Sequence, residues 1–227
     1  MQRTIDSLHQ WTSTNHVSIN PLKSVSMLFS LSRNPPPPPS LSLGTHTLST
    51  VTSFKLLGVT IDNELTFGPH VTNIVKSASY RLHMLRTLKS YGMPPGELIN
   101  IYKMFILPKL SYASPVWSSS LTITQLRRLE RVQKRALRIS LAPNYTSYDN
   151  ALTDANLPKL SDTYADCLSK FANKLLNHPR YRSFLPPDLP APPNSTRHRN
   201  ELEPIRARTD RYKKSPIPAM VKLLNES

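Results

Sequence analysis

The chain has 227 residues, with 29 lysines and arginines against 14 aspartates and glutamates, and a formal net charge of +15. Hydrophobic residues make up 38% of the sequence, and no apolar run approaches the ~18 residues of a membrane-spanning helix, so we expect no membrane partner. The excess of positive charge is typical of a protein that binds a polyanion, most simply nucleic acid. The N-terminus has no apolar leader and the single cysteine, Cys167, cannot form an internal disulfide. We therefore expect an intracellular location, in the nucleus or the cytoplasm.

The first sixty residues predict a short helix followed by strands. The predicted elements are a helix over 5–12, a strand over 25–31, a hairpin over 41–48 that turns at Gly44-Thr45, and a strand over 52–61. Five consecutive prolines at 35–39 predict a polyproline II stretch, either a stiff surface loop or a ligand for a proline-reading domain. One helix with three or four strands buries too little apolar surface to be stable by itself.

Beyond Pro69 the hydrophobic spacing changes to the helical period. Residues 70–91 predict an amphipathic helix whose apolar stripe comprises Val71, Ile74, Val75, Ala78, Leu82, Leu85 and Leu88. Further helices are predicted over 97–107, with Leu98, Ile101, Tyr102 and Phe105 inward and Pro108 as the stop, over 122–140 and over 158–177. Residues 186–215 are rich in proline and arginine and predict solvated chain, whereas 217–224 predict a short docked helix.

The helix predicted over 122–140 concentrates positive charge on one face. At ~100° per residue, six basic residues fall on an arc of roughly 120°, and we call them the basic ridge: Arg127, Arg128, Arg131, Lys134, Arg135 and Arg138. The opposite face carries Leu126, Leu129, Val132, Gln133, Ala136 and Leu137. Such a ridge is either an ordinary solvated face or a contact surface for a polyanion. Five of its six charges are arginine and Glu130 is the local acid, which favours nucleic acid.

Other candidate sites are weaker. The histidines have no metal-ligand spacing and no glycine-rich phosphate loop is present, so we predict no metal site. Asp62 and Glu64 fit turn chemistry after a strand, and Asp166 fits an exposed pair with Lys170. We interpret the aromatic residues Trp11, Tyr112 and Trp117 as core residues, although such side chains can also stack on bases.

Six segments in order resemble the end of the palm and the thumb of the reverse transcriptases of jockey- and CR1-type non-LTR retrotransposons. They are Leu8-His-Gln-Trp11 with Ile19-Asn-Pro-Leu-Lys-Ser24, Phe54-Lys-Leu-Leu-Gly-Val59, Phe67-Gly-Pro-His-Val-Thr-Asn-Ile74, Leu110-Ser-Tyr-Ala-Ser-Pro-Val-Trp117, Leu129-Glu-Arg-Val-Gln-Lys-Arg-Ala136 and Arg211-Tyr-Lys-Lys-Ser-Pro-Ile-Pro218. The resemblance implies an α+β architecture in three parts. These are a palm remnant over 1–68, made of a helix and antiparallel strands, an all-helical thumb-like module over 69–185, and a Pro/Arg-rich tail over 186–227.

The resemblance also implies roles for particular residues. Lys23 matches the motif D lysine, which approaches the leaving pyrophosphate in an intact enzyme, where a cation stabilises the departing negative charge. Leu57-Gly58 matches the primer-grip turn, although Gly58 also fits an ordinary strand bulge. The basic ridge would contact the backbone of an RNA/DNA template-primer.

The implied function is that of a reverse transcriptase fragment that retains template-primer binding. In the family, a Tyr-x-Asp-Asp hairpin placed before Leu8 supplies catalytic carboxylates that hold Mg²⁺. Thr163-Tyr-Ala-Asp-Cys167 has only one of the two aspartates and lies in a helical pattern. We therefore expect no polymerase activity and no cofactor for these 227 residues alone, with the fingers and the rest of the palm missing. The alternatives are a host-retained nucleic-acid-binding or protein-interaction module without a polymerase role, and a translated remnant of a mobile element with no selected role.

Overall fold

The computed structural model describes residues 1–30, 32, 34–189 and 201–226. The chain divides into two compact units, Met1–His70 and Val71–Ser227. The first unit contains α1 (Gln2–Thr14), β1 (Val25–Ser26), β2 (Ser42–Leu43), β3 (His46–Thr47), β4 (Ser49–Thr50), β5 (Ser53–Leu56) and β6 (Val59–Asp62). The mixture of helices and short strands agrees with the predicted α+β class. The palm, thumb and tail boundaries remain predictions.

The strands described in the first unit form three separate pairs. β2 pairs with β3 and β5 with β6, both antiparallel, as predicted. β1 pairs with β4 in parallel, so the expectation of antiparallel strands is wrong for this pair. The hairpin that turns at Gly44-Thr45 is confirmed. The single strand over 52–61 is wrong, because the chain reverses at Leu57 and Gly58 with φ of 45° and 88°. The strand over 25–31 is limited to Val25–Ser26 in the part that the structure describes, and position 31 lies outside it.

The second unit is helical. Its elements are α2 (Gly68–Ser90), which starts at the end of the first unit, α3 (Pro95–Ile101), α4 (Leu107–Ser111), α5 (Ser114–Trp117), α6 (Ile123–Leu141), α7 (Tyr148–Ala155), α8 (Leu160–Leu176), α9 (Asp210–Lys213) and α10 (Pro216–Glu226). The predicted stripe of α2 is confirmed: Val71, Ala78, Leu82 and Leu85 are at most 1% exposed. None of the described helices is long and apolar enough to cross a membrane.

Pro108 does not end the helix predicted over 97–107. A π-helical turn, Tyr102–Ile106, joins α3 to α4, and Pro108 lies in the first turn of α4. A proline is tolerated there because no backbone N–H is needed at that position. The wider turn changes the phase of the helix, so Ile106 and Leu110 are buried and Phe105, expected inward, is 56% exposed.

The chain beyond residue 200 packs more closely than its composition predicts. Leu202 is buried with Leu185 and Val221, and Asn225 of α10 exchanges two hydrogen bonds of 2.9 Å with the backbone of Leu202. The expectation of solvated chain over 186–215 is therefore wrong at Leu202, because this leucine anchors the segment. Residues 190–200 lie outside the described residues. The helix predicted over 217–224 is confirmed as α10.

The aromatic residues divide into core and surface. Trp117 is fully buried, meets Tyr164 edge-on at 5.2 Å between ring centroids, and donates from Nε1 to the carbonyl of Tyr112. The core interpretation is wrong for Trp11, 57% exposed, and for Tyr112, 55% exposed. On α1 the buried residue is Thr12, because adjacent residues of a helix point ~100° apart.

Candidate nucleic-acid interface

The helix that carries the basic ridge is fixed at both ends. Thr122 caps its N-terminus in a reciprocal capping box with Gln125. At the C-terminus, the Lys89 ammonium of α2 donates to the carbonyls of Ile139 and Ala142 at 2.7 and 2.6 Å. A cation at this end also complements the negative end of the helix dipole. These contacts hold α6 along its predicted length.

The face of α6 opposite the ridge is anchored in the core. Leu129, Val132, Ala136 and Leu137 are at most 2% exposed. Between them, the fully buried Gln133 accepts from the Tyr102 hydroxyl at 2.6 Å and donates to the Tyr148 hydroxyl and to the carbonyl of Pro158. Its amide thereby ties three segments of chain to the middle of α6.

The ridge itself faces outward, as predicted. Arg127, Arg131, Lys134, Arg135 and Arg138 are exposed, whereas Arg128 is half-buried and donates to the hydroxyl of Thr72 at 3.3 Å. Within the described ranges, none of the six side chains forms an ion pair. Their positive charge is therefore not neutralised by neighbouring carboxylates of the described chain.

Two tyrosine rings lie beneath ridge cations. The Lys134 ammonium lies 5.8 Å from the centroid of the Tyr148 ring, and the Arg138 guanidinium lies 5.7 Å from that of Tyr145. At these distances the negative face of a ring attracts a cation. The rings orient two of the ridge side chains and add no opposite formal charge.

Glu130 is the one acidic residue of α6, and its carboxylate is directed toward α8 and away from the basic ridge. Glu130 accepts hydrogen bonds from the Tyr148 hydroxyl and from the backbone N–H of Leu160 at the start of α8. Burial raises the pKa of the Glu130 carboxyl, and these hydrogen bonds act in the opposite direction. Glu130 thus serves the packing of α6 against α8.

The other predicted site residues lie in the first unit. Lys23 is exposed at the end of a 3-10 turn, Pro21–Lys23, just before β1. Leu57 and Gly58 form the two-residue turn between β5 and β6, and Leu57 is 86% exposed. The position is a hairpin turn and not a strand bulge. Two successive residues of positive φ define the tight turn whose twist matches antiparallel strands.

The remaining acidic candidates have structural roles. Asp62 accepts from the N–H groups of Thr66 and Phe67 at 2.9 and 2.7 Å, which confirms turn chemistry. Asp166 pairs with Lys170 at 2.7 Å on the exposed side of α8, as predicted. No group of three or more metal-ligating side chains occurs in the described part of the chain.

Two features of this interface have no recognisable signal in the sequence. The contact of Lys89 with α6 joins residues fifty positions apart, which periodicity does not reveal. Tyr145 and Tyr148 follow the ridge helix in a loop and at the start of α7, where their spacing carries no helical signal. Four basic residues at i, i+4, i+7 and i+11, namely Arg127, Arg131, Lys134 and Arg138, were a sufficient signal for the ridge itself.

Comparison with known proteins gives relatives of one kind. The chain is 29% identical over 182 residues to the RNA-directed DNA polymerase from mobile element jockey of Drosophila melanogaster, a match that covers 79% of this chain and 20% of the relative. It is 28% identical over 182 residues to the jockey polymerase of Drosophila funebris, with the same coverage. A probable RNA-directed DNA polymerase from transposon BS is 25% identical over 181 residues, 78% of this chain and 20% of the relative.

No family model and no solved structure matches the chain. The curated relatives nevertheless confirm the resemblance predicted from the ordered motifs. The chain is related to part of the RNA-directed DNA polymerases of jockey-like non-LTR mobile elements. It spans about a fifth of the length of these relatives.

Proposed function

We propose that this chain contributes template-primer binding to a reverse transcriptase of a jockey-like mobile element, with the basic ridge of α6 as the contact surface for the nucleic-acid backbone. The observation that carries the proposal is the set of five exposed ridge cations on a helix whose own carboxylate, Glu130, is turned toward α8. The relatives are named as RNA-directed DNA polymerases, a class that acts on nucleic acid.

The ridge has the dimensions of a backbone contact. From Arg127 to Arg138 it extends 11 residues, about 16 Å at 1.5 Å per residue. Guanidinium groups donate in a planar fork that suits phosphate oxygens. Contacts of this kind fix the position of a duplex and carry no sequence information, which is what a polymerase thumb requires.

Within this proposal the 1–68 segment is the end of the palm and 69–185 is the thumb. Lys23 would then act on the leaving pyrophosphate, and the exposed turn at Leu57-Gly58 would contact the primer end. Mg²⁺ would be held by carboxylates of the intact polymerase. That the 227 residues alone do not extend a primer remains a prediction.

The test replaces Arg127, Arg131, Arg135 and Arg138 by glutamine and measures binding of a labelled RNA/DNA hybrid over a range of salt concentrations. Each lost phosphate contact lowers the slope of log K against log salt by about 0.9. We therefore expect the slope to fall by up to about 3.6 in the fourfold variant. Binding should weaken most at low salt.

A charge-matched control separates the ridge from net charge. Arg3, Lys109, Lys170 and Lys222 are exposed positions outside the ridge, and their fourfold replacement by glutamine lowers the net charge by the same amount. The control should keep most of the slope. An unchanged slope in the ridge variant, or equal losses in the two variants, would contradict the proposal.

A further inference from the structure

A groove of 780 Å³ in the second unit lies apart from the basic ridge in sequence and differs from it in chemistry. It is bounded by α5, the C-terminal part of α8, the turn that follows α8, and the start of α10. Its aromatic lining residues are Phe171, His178, Tyr181, Phe184 and Tyr212. We call this feature the aromatic groove.

Three of these rings form a short stack. The centroids of His178 and Tyr181 are 4.5 Å apart with planes at 30°, and those of Tyr181 and Phe184 are 6.3 Å apart with planes at 22°. The stack ends at Phe184, which is 61% exposed, and Tyr212 is 49% exposed. Large exposed rings arranged in this way are a surface on which another flat ring can stack.

The charge around the groove is mostly positive, and Asp188 and Asp210 are the acidic residues nearest to its lining in sequence. The two segments that supply most of its lining, 174–184 and 212–220, contain five lysines and arginines and no aspartate or glutamate. Lys174 lines the groove itself, and Arg180, Lys213 and Lys214, next to or near its lining residues in sequence, are exposed. Lys213 and Lys214 line a second pocket, which also contains Asp210 and Glu226. Arg182 is paired with Asp188, which follows the first segment.

We propose that the aromatic groove binds single-stranded nucleic acid, with bases stacked on Phe184 and Tyr212 and with the flanking cations contacting phosphates. Stacking platforms combined with basic flanks are the general solution for single strands, because every base has a flat apolar face. A proline-rich peptide also suits aromatic grooves, but it carries no negative charge that would complement the surrounding cations. The inference goes beyond duplex binding by the ridge and does not depend on it.

The experiment compares two single-stranded oligonucleotides of equal length and equal charge, one with bases and one abasic, in titrations of the full 227-residue chain at 300 mM salt. High salt weakens the phosphate contacts and leaves stacking. We expect the chain to bind the oligonucleotide with bases at least about fivefold more tightly, since each stacked base contributes about 1–3 kcal/mol. The double variant Phe184→Ala/Tyr212→Ala should lose this preference and should keep its binding to the RNA/DNA hybrid.

Two control variants leave the stacking surface of the groove in place. Tyr91→Ala removes an 82% exposed ring that does not line the groove and should keep the preference, as should Phe184→Trp, which retains a stacking ring. Equal binding of the two oligonucleotides by the unaltered chain, or an unchanged preference in the double variant, would overturn the proposal. It would also be overturned by tight binding of a proline-rich peptide without oligonucleotide binding. Duplex binding by the basic ridge is tested separately, by whether the fourfold ridge variant loses its binding to the RNA/DNA hybrid.

Discussion

Leu57 combines high exposure with a backbone conformation that leucine avoids. Its φ of 45° places it in the left-handed region, and its side chain is 86% exposed. Asn-Gly is the preferred pair for such a turn because asparagine tolerates positive φ. An apolar side chain is unusual at the tip of such a turn, and the contact with the primer end proposed above would account for it.

The first prediction concerns this residue. Leu57→Asn should raise the free energy of unfolding by about 1 kcal/mol, because it relieves the left-handed strain, and urea denaturation measures the change. The matched control is Leu56→Asn, one residue earlier in β5, where the backbone is extended and asparagine is unfavourable. Destabilisation by Leu57→Asn would mean that the leucine side chain makes contacts worth more than the strain.

Glu130 gives a prediction of pH dependence. Burial raises the pKa of its carboxyl above the value in the unfolded chain, so the folded protein takes up this proton more readily. The stabilisation from protonation is therefore complete below about pH 4, the ordinary range for glutamate, and is lost as the pH rises through the folded-state value. In Glu130→Gln this dependence should disappear.

The measurement for Glu130 is the difference in unfolding free energy between the unaltered chain and the glutamine variant as a function of pH. The difference should move in favour of the variant as the pH rises from 4 toward neutrality. Asp166→Asn, at an exposed carboxylate of α8, is the comparison variant. A difference that moves the other way would mean that the hydrogen bonds from Tyr148 and Leu160 outweigh the burial of Glu130.

At the scale of elements, the buried amide of Gln133 connects α6 to its neighbours. Tyr102→Phe removes the hydroxyl that donates to the Gln133 side-chain carbonyl and leaves that oxygen buried without this donor. The expected loss is about 1–3 kcal/mol of unfolding free energy. Tyr80→Phe, at an 82% exposed tyrosine, should change stability by less than about 0.5 kcal/mol. A Tyr102 variant as stable as the Tyr80 variant would show that the Gln133 carbonyl finds another partner.

The elements that the sequence predicted well are those with a long apolar stripe. α2, α6 and α8 were predicted within two residues at each end because 3.6-residue periodicity persists over more than four turns in each. The strand pattern missed the hairpin of β5 and β6 because Leu57 is not a turn-forming residue type, whereas the resemblance implied a turn at Leu57-Gly58. The continuation through Pro108 was missed because a π-helical turn has no sequence signature, and the packing of Leu202 was missed because the composition around it is polar.

At the scale of the molecule, the positions of the ridge residues were predictable and the contacts that support them were not. Amphipathic spacing placed the six basic residues on one face of α6. The contact of Lys89 with the end of α6 and the hydrogen bonds of Gln133 depend on tertiary packing between distant segments. The relationship to jockey-like polymerases was predicted from the order of several short motifs, which chance does not reproduce easily.

The last prediction is made at this scale. The ridge and every residue described as holding α6 lie in the second unit, so a shortened chain of residues 69–227 should bind the RNA/DNA hybrid with the salt slope of the full chain. Circular dichroism checks that the shortened chain is helical, and the hybrid titration measures the slope. A slope lower by more than about 1, roughly one phosphate contact, would show that the first unit contributes to duplex binding.

The predominance of arginine in the ridge determines whether pH or ionic strength would control its attraction for a polyanion. A guanidinium keeps its proton throughout the pH range in which proteins are folded. Histidine-rich binding surfaces, in contrast, gain and lose affinity as a compartment acidifies. Under the proposed function, ionic strength and not pH would therefore be the variable that releases nucleic acid from the ridge.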